Sequence, residues 1–592
     1  MKIYFCYLFA FVVLTFSFDQ VINGQSLSDK SYCGKGYKEY HYGVPFLYLK
    51  GKNYDAGYQY GYLLKDELLK MYDEFHRFKN ELLSREIKYL PGYQRVLANM
   101  FGSIAWKHKI NKLARQLPVD IKEQQQGMSK ASGLPIFFFN EIQVIVDLYS
   151  GRCEAIAILK DGKTYHCHNL DQPYPISDIG KYPAVTVYNI DGMQQYTNIG
   201  FVACLSLTTA FNENGISYSE NGNNNHKPFD NSKSNLYIEK NKFLTQAHNM
   251  HEVDSLVDAI HLPVGLIVTI ASSKENKAMM YDILGTTKGR TTVKTYQFAP
   301  NWTMNASLRK KNEWIYADAF HNTSRNIKFE ALIDTTNPNM VDEAIGILSH
   351  SDFYHYSDSI TVHLESLHNF ETDQSVIFNL ADSLVYFAVY PHFAAWSQWL
   401  KFNYITREVS LYKDVDSKLN RPDVVKNVEL MKQLESCDWR DSSEVRKLVN
   451  SIIGSRIENY YTLDFLTITY LDKYKMPNQA MIYAEKFIKK YPDIATGYHN
   501  KGLIYKNLNQ NKEAIGEFQK SLDCPLNCDY YKALTFEQLA LTYTTIAHDE
   551  KAKENAIKAL EIHNQYWIPE WLNQRIEKLN EISKKEKSQI EK

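Results

Sequence analysis

Apolar and polar residues follow different patterns in three successive parts of the chain. Between residues 48 and 132 the apolar positions mainly have the spacing of amphipathic helices. Between residues 155 and 413 short runs rich in β-branched and aromatic residues alternate with turn residues, whereas residues 414–592 are charged and helical in pattern. Strand-rich runs interrupted by helices predict a layered α+β domain between two helical parts.

Individual elements of the middle part follow from the same pattern. The sequence predicts strands at residues 184–188, 204–207, 215–219, 265–271, 277–283, 292–296, 375–378 and 383–390, and helices at residues 240–250, 253–259 and 339–348.

The strongest local signal is a hairpin at the start of the middle part. Two β-rich runs, residues 155–159 and 163–168, flank an Asp-Gly pair at 161–162, which is typical of a two-residue hairpin turn. The hairpin places Cys153, at the start of its first strand, beside residues 168–171 at the end of its second strand. A thiol therefore lies near an imidazole, an amide and a carboxylate through local structure alone.

A second motif spans residues 211–222, Phe-Asn-Glu-Asn-Gly-Ile-Ser-Tyr-Ser-Glu-Asn-Gly. Asn214-Gly215 predicts a tight turn, and the alternation over residues 216–220 predicts a strand that carries Asn221 to its end. Taken alone, this motif is a turn followed by a strand.

Cys153, the hairpin and His168-Asn169-Leu170-Asp171 together resemble the opening of the N-terminal-nucleophile amidases, the family of penicillin V acylase, bile-salt hydrolase and acid ceramidase. The resemblance is to its acyl-coenzyme A:6-aminopenicillanate acyltransferase branch in particular, whose members act on linear amide C–N bonds. In that family the precursor cuts itself immediately before a cysteine. The resemblance implies an αββα sandwich and cleavage between Arg152 and Cys153. The family pattern has an arginine where His168 stands, and the hairpin here is one residue shorter.

The resemblance also implies roles for the residues of the two motifs. Cys153 is the expected nucleophile, and its free α-amine, with an ordinary pKa of about 7.7 to 8.0, is suited to take the thiol proton. Asp171 is expected to hold the α-ammonium, and Asn221 to stabilise the oxyanion together with backbone N–H groups. His168 and Asn169 complete the candidate set. In a regular strand Asn169 and Asp171 lie on one face and His168 lies on the other. We therefore consider Asp171 a stronger candidate than His168 for a role at the Cys153 site.

The N-terminal helical part widens the resemblance. Gly57 and Gly61 lie four residues apart, on one face of a predicted helix, where the missing side chains allow another element to approach closely. Tight helix packing explains this spacing, and the same Gly-x-x-x-Gly-x-Leu-Leu arrangement resembles the N-terminal segment of the acyltransferase branch.

Purely structural interpretations apply to each of these residues. A cysteine at the start of a strand is usually a small buried residue or a disulfide partner, and Cys167 is near enough in the hairpin to be that partner. Residues 168–171 can end a strand with turn-forming residues.

The C-terminal part contains tetratricopeptide-like repeats. Ala480 and Ala514 are one 34-residue period apart, whereas Ala514 and Ala552 are separated by four residues more, which the segment 524–528 accounts for. Small residues at these positions let paired helices pack closely, so a stack of helix pairs is expected.

Composition and the N terminus suggest the compartment. The chain has 592 residues and a net charge of -1, which predicts two or more domains and gives no reason to propose nucleic acid as a partner. The apolar run at residues 3–18 predicts a signal peptide cut near residue 24, with a membrane anchor as the alternative. We therefore expect a secreted, periplasmic or lysosome-like luminal location.

An oxidising compartment would allow disulfides and glycans. The cysteines available besides Cys153 are Cys33, Cys167, Cys204, Cys437, Cys524 and Cys528, of which the last two are the closest pair in sequence. The glycosylation triplets begin at Asn301, Asn305 and Asn322.

The sequence thus predicts a signal peptide at 1–24, a helical segment at 25–152, a catalytic core at 153–413, a helical linker at 414–456 and repeats at 457–592. The leading hypothesis is a self-processing cysteine amidase or acyltransferase without a cofactor, acting on a small-molecule acyl amide or acyl donor, with a protein partner for the repeats. One alternative is a lipid amidase or phospholipase B-like hydrolase. Another is a non-catalytic binding protein in which Cys153 is structural.

Overall fold

The computed structural model describes residues 30–88, 90, 92–146, 153–172, 180–223, 237–262, 265–305, 307–308, 318–352, 356, 366–389, 394–566 and 572–584. The predicted signal peptide and Arg152 lie outside these residues. Among the helices in these ranges, none combines the length and apolarity needed to cross a bilayer.

The described strands form two sheets. The strands are β1 Ser31–Cys33, β2 Gly36–His41, β3 Val44–Gly51, β4 Glu154–Lys160, β5 Lys163–Asp171, β6 Pro183–Ile190, β7 Tyr196–Phe201, β8 Thr209–Asn212, β9 Ile216–Asn223, β10 Gly265–Ser272, β11 Lys277–Leu284, β12 Thr287–Thr292, β13 Tyr296–Ala299, β14 Thr372–Asn379, β15 Leu384–Val389, β16 Trp399–Asn403 and β17 Val409–Lys413. The ten-stranded sheet has the order β1-β2-β3-β6-β7-β8-β9-β10-β11-β12, and the seven-stranded sheet has the order β13-β4-β5-β14-β15-β16-β17. β3 and β6 pair in parallel.

Helices cover both sheets and continue as a C-terminal array. Those of the first 413 residues are α1 Asn53–Leu63, α2 Lys65–Lys88, α3 Gly92–Ala114, α4 Val119–Ser132, α5 Ile136–Val146, α6 Lys242–Thr245, α7 Met250–Ala259, α8 Asp318–Leu332 and α9 Met340–Leu348. The later ones are α10 Pro422–Ser436, α11 Ser442–Ser455, α12 Tyr460–Ile468, α13 Pro477–Lys490, α14 Ala495–Asn507, α15 Asn511–Asp523, α16 Asp529–Thr545, α17 Asp549–His563 and α18 Asn573–Lys584.

Four layers follow from where the apolar side chains are buried. Two clusters lie between the sheets: one joins β3, β6, β7 and β8 to β14, β15 and β16, and the other joins β4 and β13 to β10 and β11. The outer face of the ten-stranded sheet packs against the N-terminal helices and α7. The outer face of the seven-stranded sheet packs against α8 and α9. The αββα sandwich predicted for the core is therefore confirmed.

The segment before Cys153 is not only helical. Its first strands, β1 to β3, enter the ten-stranded sheet through six paired residues of β3 and β6. The β2–β3 hairpin turns at Tyr42 and Gly43, which both have positive φ angles of 51° and 83°. Tyrosine is not a usual residue for this conformation, which explains why the hairpin gave no sequence signal.

Several predicted elements differ in the structure. Residues 204–207 are irregular, because the backbone N–H groups of Leu205 and Ser206 bond to the side chain of Gln143 at 3.2 and 3.1 Å and not to a neighbouring strand. The predicted strand at 292–296 falls on the break between β12 and β13, and the predicted helix at 240–250 is a 3₁₀ turn followed by the single turn α6.

The structure confirms the hairpin β4–β5 and the other predicted elements of the core. These are the strands at 184–188, 215–219, 265–271, 277–283 and 375–378 and the helices at 253–259 and 339–348. The predicted strand at 383–390 is confirmed as β15 over its described residues.

The C-terminal helices lie where the repeat pattern places them. The spaced alanines are buried, with Ala514, Ala552 and Ala556 in one apolar cluster of α14 to α18. Residues 414–456 form α10 and α11, which pack together with α12. The tetratricopeptide assignment itself stays a prediction.

Gly57 and Gly61 permit a close contact between two helices of the N-terminal segment. A β-carbon on Gly57 would overlap the backbone carbonyl of Gln124 in α4, and one on Gly61 would overlap that of Met128. The tight helix packing expected from their spacing is therefore present between α1 and α4.

Gly57→Ala should lower the free energy of unfolding by about 1 to 3 kcal/mol, because α1 and α4 must separate to admit a methyl group. Gly346→Ala is the control, since nothing lies near its β-carbon position on the exposed side of α9. That variant should be neutral or more stable by about 0.5 to 1 kcal/mol. Urea unfolding measures both changes, and equal stability of the two variants would contradict the packing described.

Candidate active site

The β4–β5 hairpin positions the candidate nucleophile. Glu154 pairs with Asn169 at one end of the ladder, and Lys160 pairs with Lys163 at the other. Asp161 and Gly162 have φ angles of 51° and 73°, the left-handed pair that a two-residue turn matched to the strand twist requires. Cys153 immediately precedes β4 and so lies next to the C-terminal end of β5.

The Cys153 side chain is buried and faces the ten-stranded sheet. It is 2% exposed and shares an apolar cluster with Leu170, whereas Cys167 is buried in the cluster on the opposite face of the same sheet. The thiol Sγ lies 3.8 Å from the backbone carbonyl oxygen of Asp171. The described cysteines are all free thiols, and the opposite orientation of Cys153 and Cys167 excludes a disulfide between them.

Burial raises the pKa of the Cys153 thiol well above its ordinary value of 9.0. The negative charge of Asp171 adds to this effect, and Glu154 and Glu220 contribute in the same direction. Within the uncut chain Cys153 is therefore a protonated, weakly nucleophilic thiol near neutral pH.

Asn169 and Asp171 occupy the other face of β5, as the strand alternation predicts. The Asn169 amide donates to Glu154 Oε1 at 2.7 Å and to the carbonyl oxygens of Leu348 and Leu367 at 3.0 and 2.8 Å. The Asp171 carboxylate accepts a 2.6 Å hydrogen bond from Asn369. β5 remains regular up to Asp171, and the register shift lies in β14 instead.

A buried ion pair lies directly behind Cys153. Arg325 of α8 contacts Glu154 Oε2 at 2.8 Å, and both side chains are almost fully buried. The same guanidinium donates to the backbone oxygen of Cys153 at 3.3 Å, to Asn301 Oδ1 at 2.7 Å and to Asn322 Oδ1 at 2.9 Å. Burial, followed by the charge of Asp171, raises the pKa of Glu154, while Arg325 and Asn169 oppose that shift.

Sequence reasoning missed this network. Nothing in the local pattern distinguishes Arg325 from other helix residues, and the triplets that begin at Asn301 and Asn322 predict glycans instead. Both asparagines are buried and hydrogen-bonded, so the prediction of glycans on them is wrong for the folded chain. The Glu154 that follows Cys153 in the strand was the one available signal.

His168 lies between the sheets, on the same face of β5 as Leu170. Its two ring nitrogens contact Thr209 Oγ1 at 2.8 Å and the Glu220 carbonyl oxygen at 3.2 Å. Burial lowers the pKa of His168 to about 3, against smaller opposing effects of the hydrogen bonds with Glu220 and Asn221. The imidazole is therefore neutral at ordinary pH and ties β5 to β8 and β9.

Asn221 lies within β9, which continues to Asn223 beyond the predicted strand end. Its amide Nδ2 donates to the carbonyl oxygens of Ala299 and Pro300 at 2.6 and 3.2 Å. Glu220, the preceding residue, forms a buried ion pair with Lys240 and accepts a hydrogen bond from the Tyr218 hydroxyl. A second buried carboxylate thus lies on β9, with its cation in the 3₁₀ turn that precedes α6.

Candidate metal ligands do not cluster in the part of the chain that the structure describes, where groups of three or more His, Cys, Asp or Glu side chains with suitable geometry are absent.

Comparisons with known proteins give the following likenesses. No protein-family model and no curated protein matches the chain. Similar solved structures include a Caenorhabditis elegans N-acylethanolamine-hydrolyzing acid amidase ortholog, at 12% identity and TM-score 0.30 over 39% of this chain and 93% of that one.

Two further solved structures are enzymes of bacterial origin. A conjugated bile acid hydrolase from Clostridium perfringens matches at 10% identity and TM-score 0.31, over 45% of this chain and 98% of that one. Penicillin V acylase from Agrobacterium tumefaciens matches at 9% identity and TM-score 0.26, over 40% and 82%.

Arg325→Gln should destabilise the protein by about 3 to 5 kcal/mol near neutral pH, because Glu154 is left as a buried carboxylate without its cation. The loss should shrink in acid, where the carboxyl group takes up a proton. Arg290→Gln is the control: Arg290 and its partner Asp254 are about one-third exposed and its partner Asp258 is 64% exposed, and the change should stay within about 1 kcal/mol. Urea unfolding at two pH values measures both variants, and equal losses would contradict the buried pair.

His168→Gln should weaken the dependence of stability on acid. Because the pKa of His168 is about 3 in the folded chain and 6.5 ordinarily, its contribution is complete above pH 6.5 and is lost as the pH falls toward 3. Between pH 7 and 5 the wild type should lose about 2 kcal/mol through this group, and the variant should not. His251→Gln, an exposed histidine on α7, is the control. An unchanged pH dependence in His168→Gln would show that the imidazole is not buried in its neutral form.

Proposed function

We propose that the protein is a self-processing cysteine amidase or acyltransferase that acts on linear, non-peptide C–N amide bonds through a thioester on Cys153. The observation that carries this proposal is the position of the Cys153 thiol: it is buried at the start of β4, against the backbone carbonyl oxygen of Asp171 at the end of β5, and the negative charges of Asp171, Glu154 and Glu220 raise its pKa. A structural cysteine does not need buried charges around it, and each of these charges costs solvation energy.

Processing would create the active form. Cys153 Sγ attacks the carbonyl of the preceding residue, so the peptide C–N bond is exchanged for a thioester. Water then hydrolyses the thioester and leaves a carboxylate on the N-terminal piece, with a free thiol and α-amine on Cys153. This step occurs once per molecule, so a weakly nucleophilic thiol is sufficient for it.

The carboxylates favour the new N terminus. The same negative charges that raise the pKa of the thiol also stabilise an α-ammonium on Cys153. The ammonium in turn stabilises a thiolate on the same residue, which the uncut chain lacks. Cleavage thus places a positive α-ammonium next to a sulfur whose charged neighbours were carboxylates. We propose that Asp171 holds this ammonium.

The catalytic cycle would then be an acyl transfer. The α-amine takes the thiol proton, sulfur attacks the substrate amide carbonyl, and the proton passes to the departing amine as the C–N bond breaks. Water or a second amine attacks the thioester and returns a proton and the free thiol. Asn221 is proposed as an oxyanion donor. Its Nδ2 would give up its hydrogen bonds to the carbonyl oxygens of Ala299 and Pro300 and donate to the negatively charged oxygen that forms on the substrate. Asn169 would hold Glu154 in place.

The N-terminal segment would remain bound after the cut. β3 is paired with β6 in the ten-stranded sheet. The Ala203 N–H donates to the Tyr60 hydroxyl at 3.1 Å, and Gln143 of α5 donates to the Ala203 carbonyl oxygen at 2.9 Å. Separation would expose this core, so we propose a two-chain enzyme. Secretion to an oxidising or luminal compartment, and a protein partner for the repeats, remain proposals from the sequence alone.

Purified wild-type protein should consist of two chains, one of which begins at Cys153, and they should co-elute under native conditions. Cys153→Ala should remain one chain, because the attacking sulfur is gone. Cys167→Ala is the matched control, a buried cysteine on the opposite face of the same sheet, and should be cut like the wild type. Intact-mass measurement and N-terminal sequencing of the wild type and both variants determine whether each is cut. An uncut wild type would refute self-processing.

The cut protein should release amines from one class of acyl compound in a screen of N-acyl amino acids, N-acyl ethanolamines, penicillin V and lysophospholipids. Asp171→Asn should reduce turnover by roughly a hundredfold or more if Asp171 orients the N-terminal amine. Hydrolysis confined to lysophospholipids would favour the phospholipase B-like alternative and contradict the amide specificity.

A further inference from the structure

Two turns that hold the candidate site also extend to the C-terminal helices. The first is Asn301-Trp302-Thr303. Asn301 bonds to Arg325, and its amide donates to the Gly222 carbonyl oxygen at 2.9 Å. Thr303 accepts a 3.0 Å hydrogen bond from Asn223 of β9. Trp302, between them, packs against an apolar cluster of α12, α13 and residues 491–528 in the helical array.

The second turn, Asn369-Phe370-Glu371, has the same arrangement. Asn369 donates to the Asp171 carboxylate at 2.6 Å, and the Glu371 carbonyl oxygen accepts a 2.9 Å hydrogen bond from the Gln172 N–H. Phe370 is 3% exposed and lies in the apolar cluster formed by α10, α11 and α12. In both turns the polar residues on either side bind the site and the aromatic residue between them binds the helices.

Further contacts fix the array near these turns. The Tyr356 hydroxyl donates to the Asp493 carboxylate at 3.0 Å, and its ring lies 5.2 Å from that of Tyr491. Trp396 is buried in the same cluster as Phe370 and donates from its indole nitrogen to the Ser349 carbonyl oxygen at 2.9 Å. The helical array is therefore packed against the side of the sandwich from which both turns emerge.

We propose that the C-terminal helical array is a positioning element of the Cys153 site, acting through Trp302 on the Asn301 turn and through Phe370 on the Asn369 turn. This inference rests on the proposed function. Trp302 and Phe370 are positioning residues: neither lies against the thiol, but each fixes a turn whose polar neighbours bind Arg325 or Asp171.

The physical reason is that a short polar turn has several hydrogen-bonded arrangements of similar energy. An aromatic side chain seated in an apolar cluster selects one of them, because leaving the cluster re-exposes a large apolar surface to water. Displacing a positioned group by as little as about 1 Å can cost roughly a hundredfold in rate. A ligand that moves the helices would for the same reason change the reactivity of Cys153.

The test uses the full-length protein with Trp302→Leu, and Trp302→Phe as the conservative variant. The control is Phe518→Leu, which removes a fully buried aromatic ring within the array, in the cluster of α14 to α18, which includes neither turn. Trp302→Leu should lower kcat by roughly tenfold or more with a small change in KM, and Trp302→Phe should restore most of it. Phe518→Leu should show a comparable fall in Tm with kcat unchanged.

Equal kcat values for Trp302→Leu and Phe518→Leu would overturn the inference, since general destabilisation would then explain the loss. If the wild type is uncut and inactive, the proposed function fails. The coupling between Trp302 and the Cys153 site is then measured by iodoacetamide alkylation of the Cys153 peptide as a function of pH. The midpoint should move to lower pH in Trp302→Leu alone, because loosening the turn admits water to a thiol whose pKa is raised mainly by burial. An unmoved midpoint would reject the coupling as well.

Discussion

The ion pair between Glu154 and Arg325 is the contact on which the geometry around Cys153 depends. Neither charge reaches solvent, so each needs the other, and Asn169, Asn301 and Asn322 add hydrogen bonds to the two side chains. A buried pair of this kind contributes little net stability, but removing one partner is costly. The ion pair instead fixes one arrangement of β4, β5, α8 and the Asn301 turn. The Arg325 guanidinium of this pair also holds the backbone oxygen of Cys153.

The charge around the thiol explains why an internal cysteine and an N-terminal one behave differently in the same position. The carboxylates of Glu154 in β4, Asp171 in β5 and Glu220 in β9 add to the effect of burial and keep an internal thiol protonated. An α-ammonium would meet the same carboxylates as favourable partners. The site is thus better matched to a cation that the uncut chain does not have, and this mismatch is the physical basis of the proposed self-processing.

The sequence predicted the parts of this arrangement that local chemistry determines. The Asp161-Gly162 and Asn214-Gly215 turns depend on adjacent residues and the helical array on a regular spacing of alanines, and all three appear in the structure. Arg325, the cation that pairs with Glu154, comes from α8, and Asn301, which accepts from Arg325, comes from the turn after β13, so no local pattern could identify either residue. Asn322 illustrates the same limit, because a triplet that suits a glycan on a surface loop is in this fold a buried ligand of a guanidinium.

Trapping the acyl-enzyme tests the central claim, that Cys153 carries the acyl group, most directly. The purified protein is mixed with a turned-over N-acyl substrate, quenched in acid within the first turnover, digested and analysed by mass spectrometry. The account predicts an adduct with the mass of the acyl group on the peptide that begins at Cys153, and its removal by hydroxylamine, as expected of a thioester. Turnover with an unmodified Cys153 peptide, or with the adduct on another residue, would contradict it.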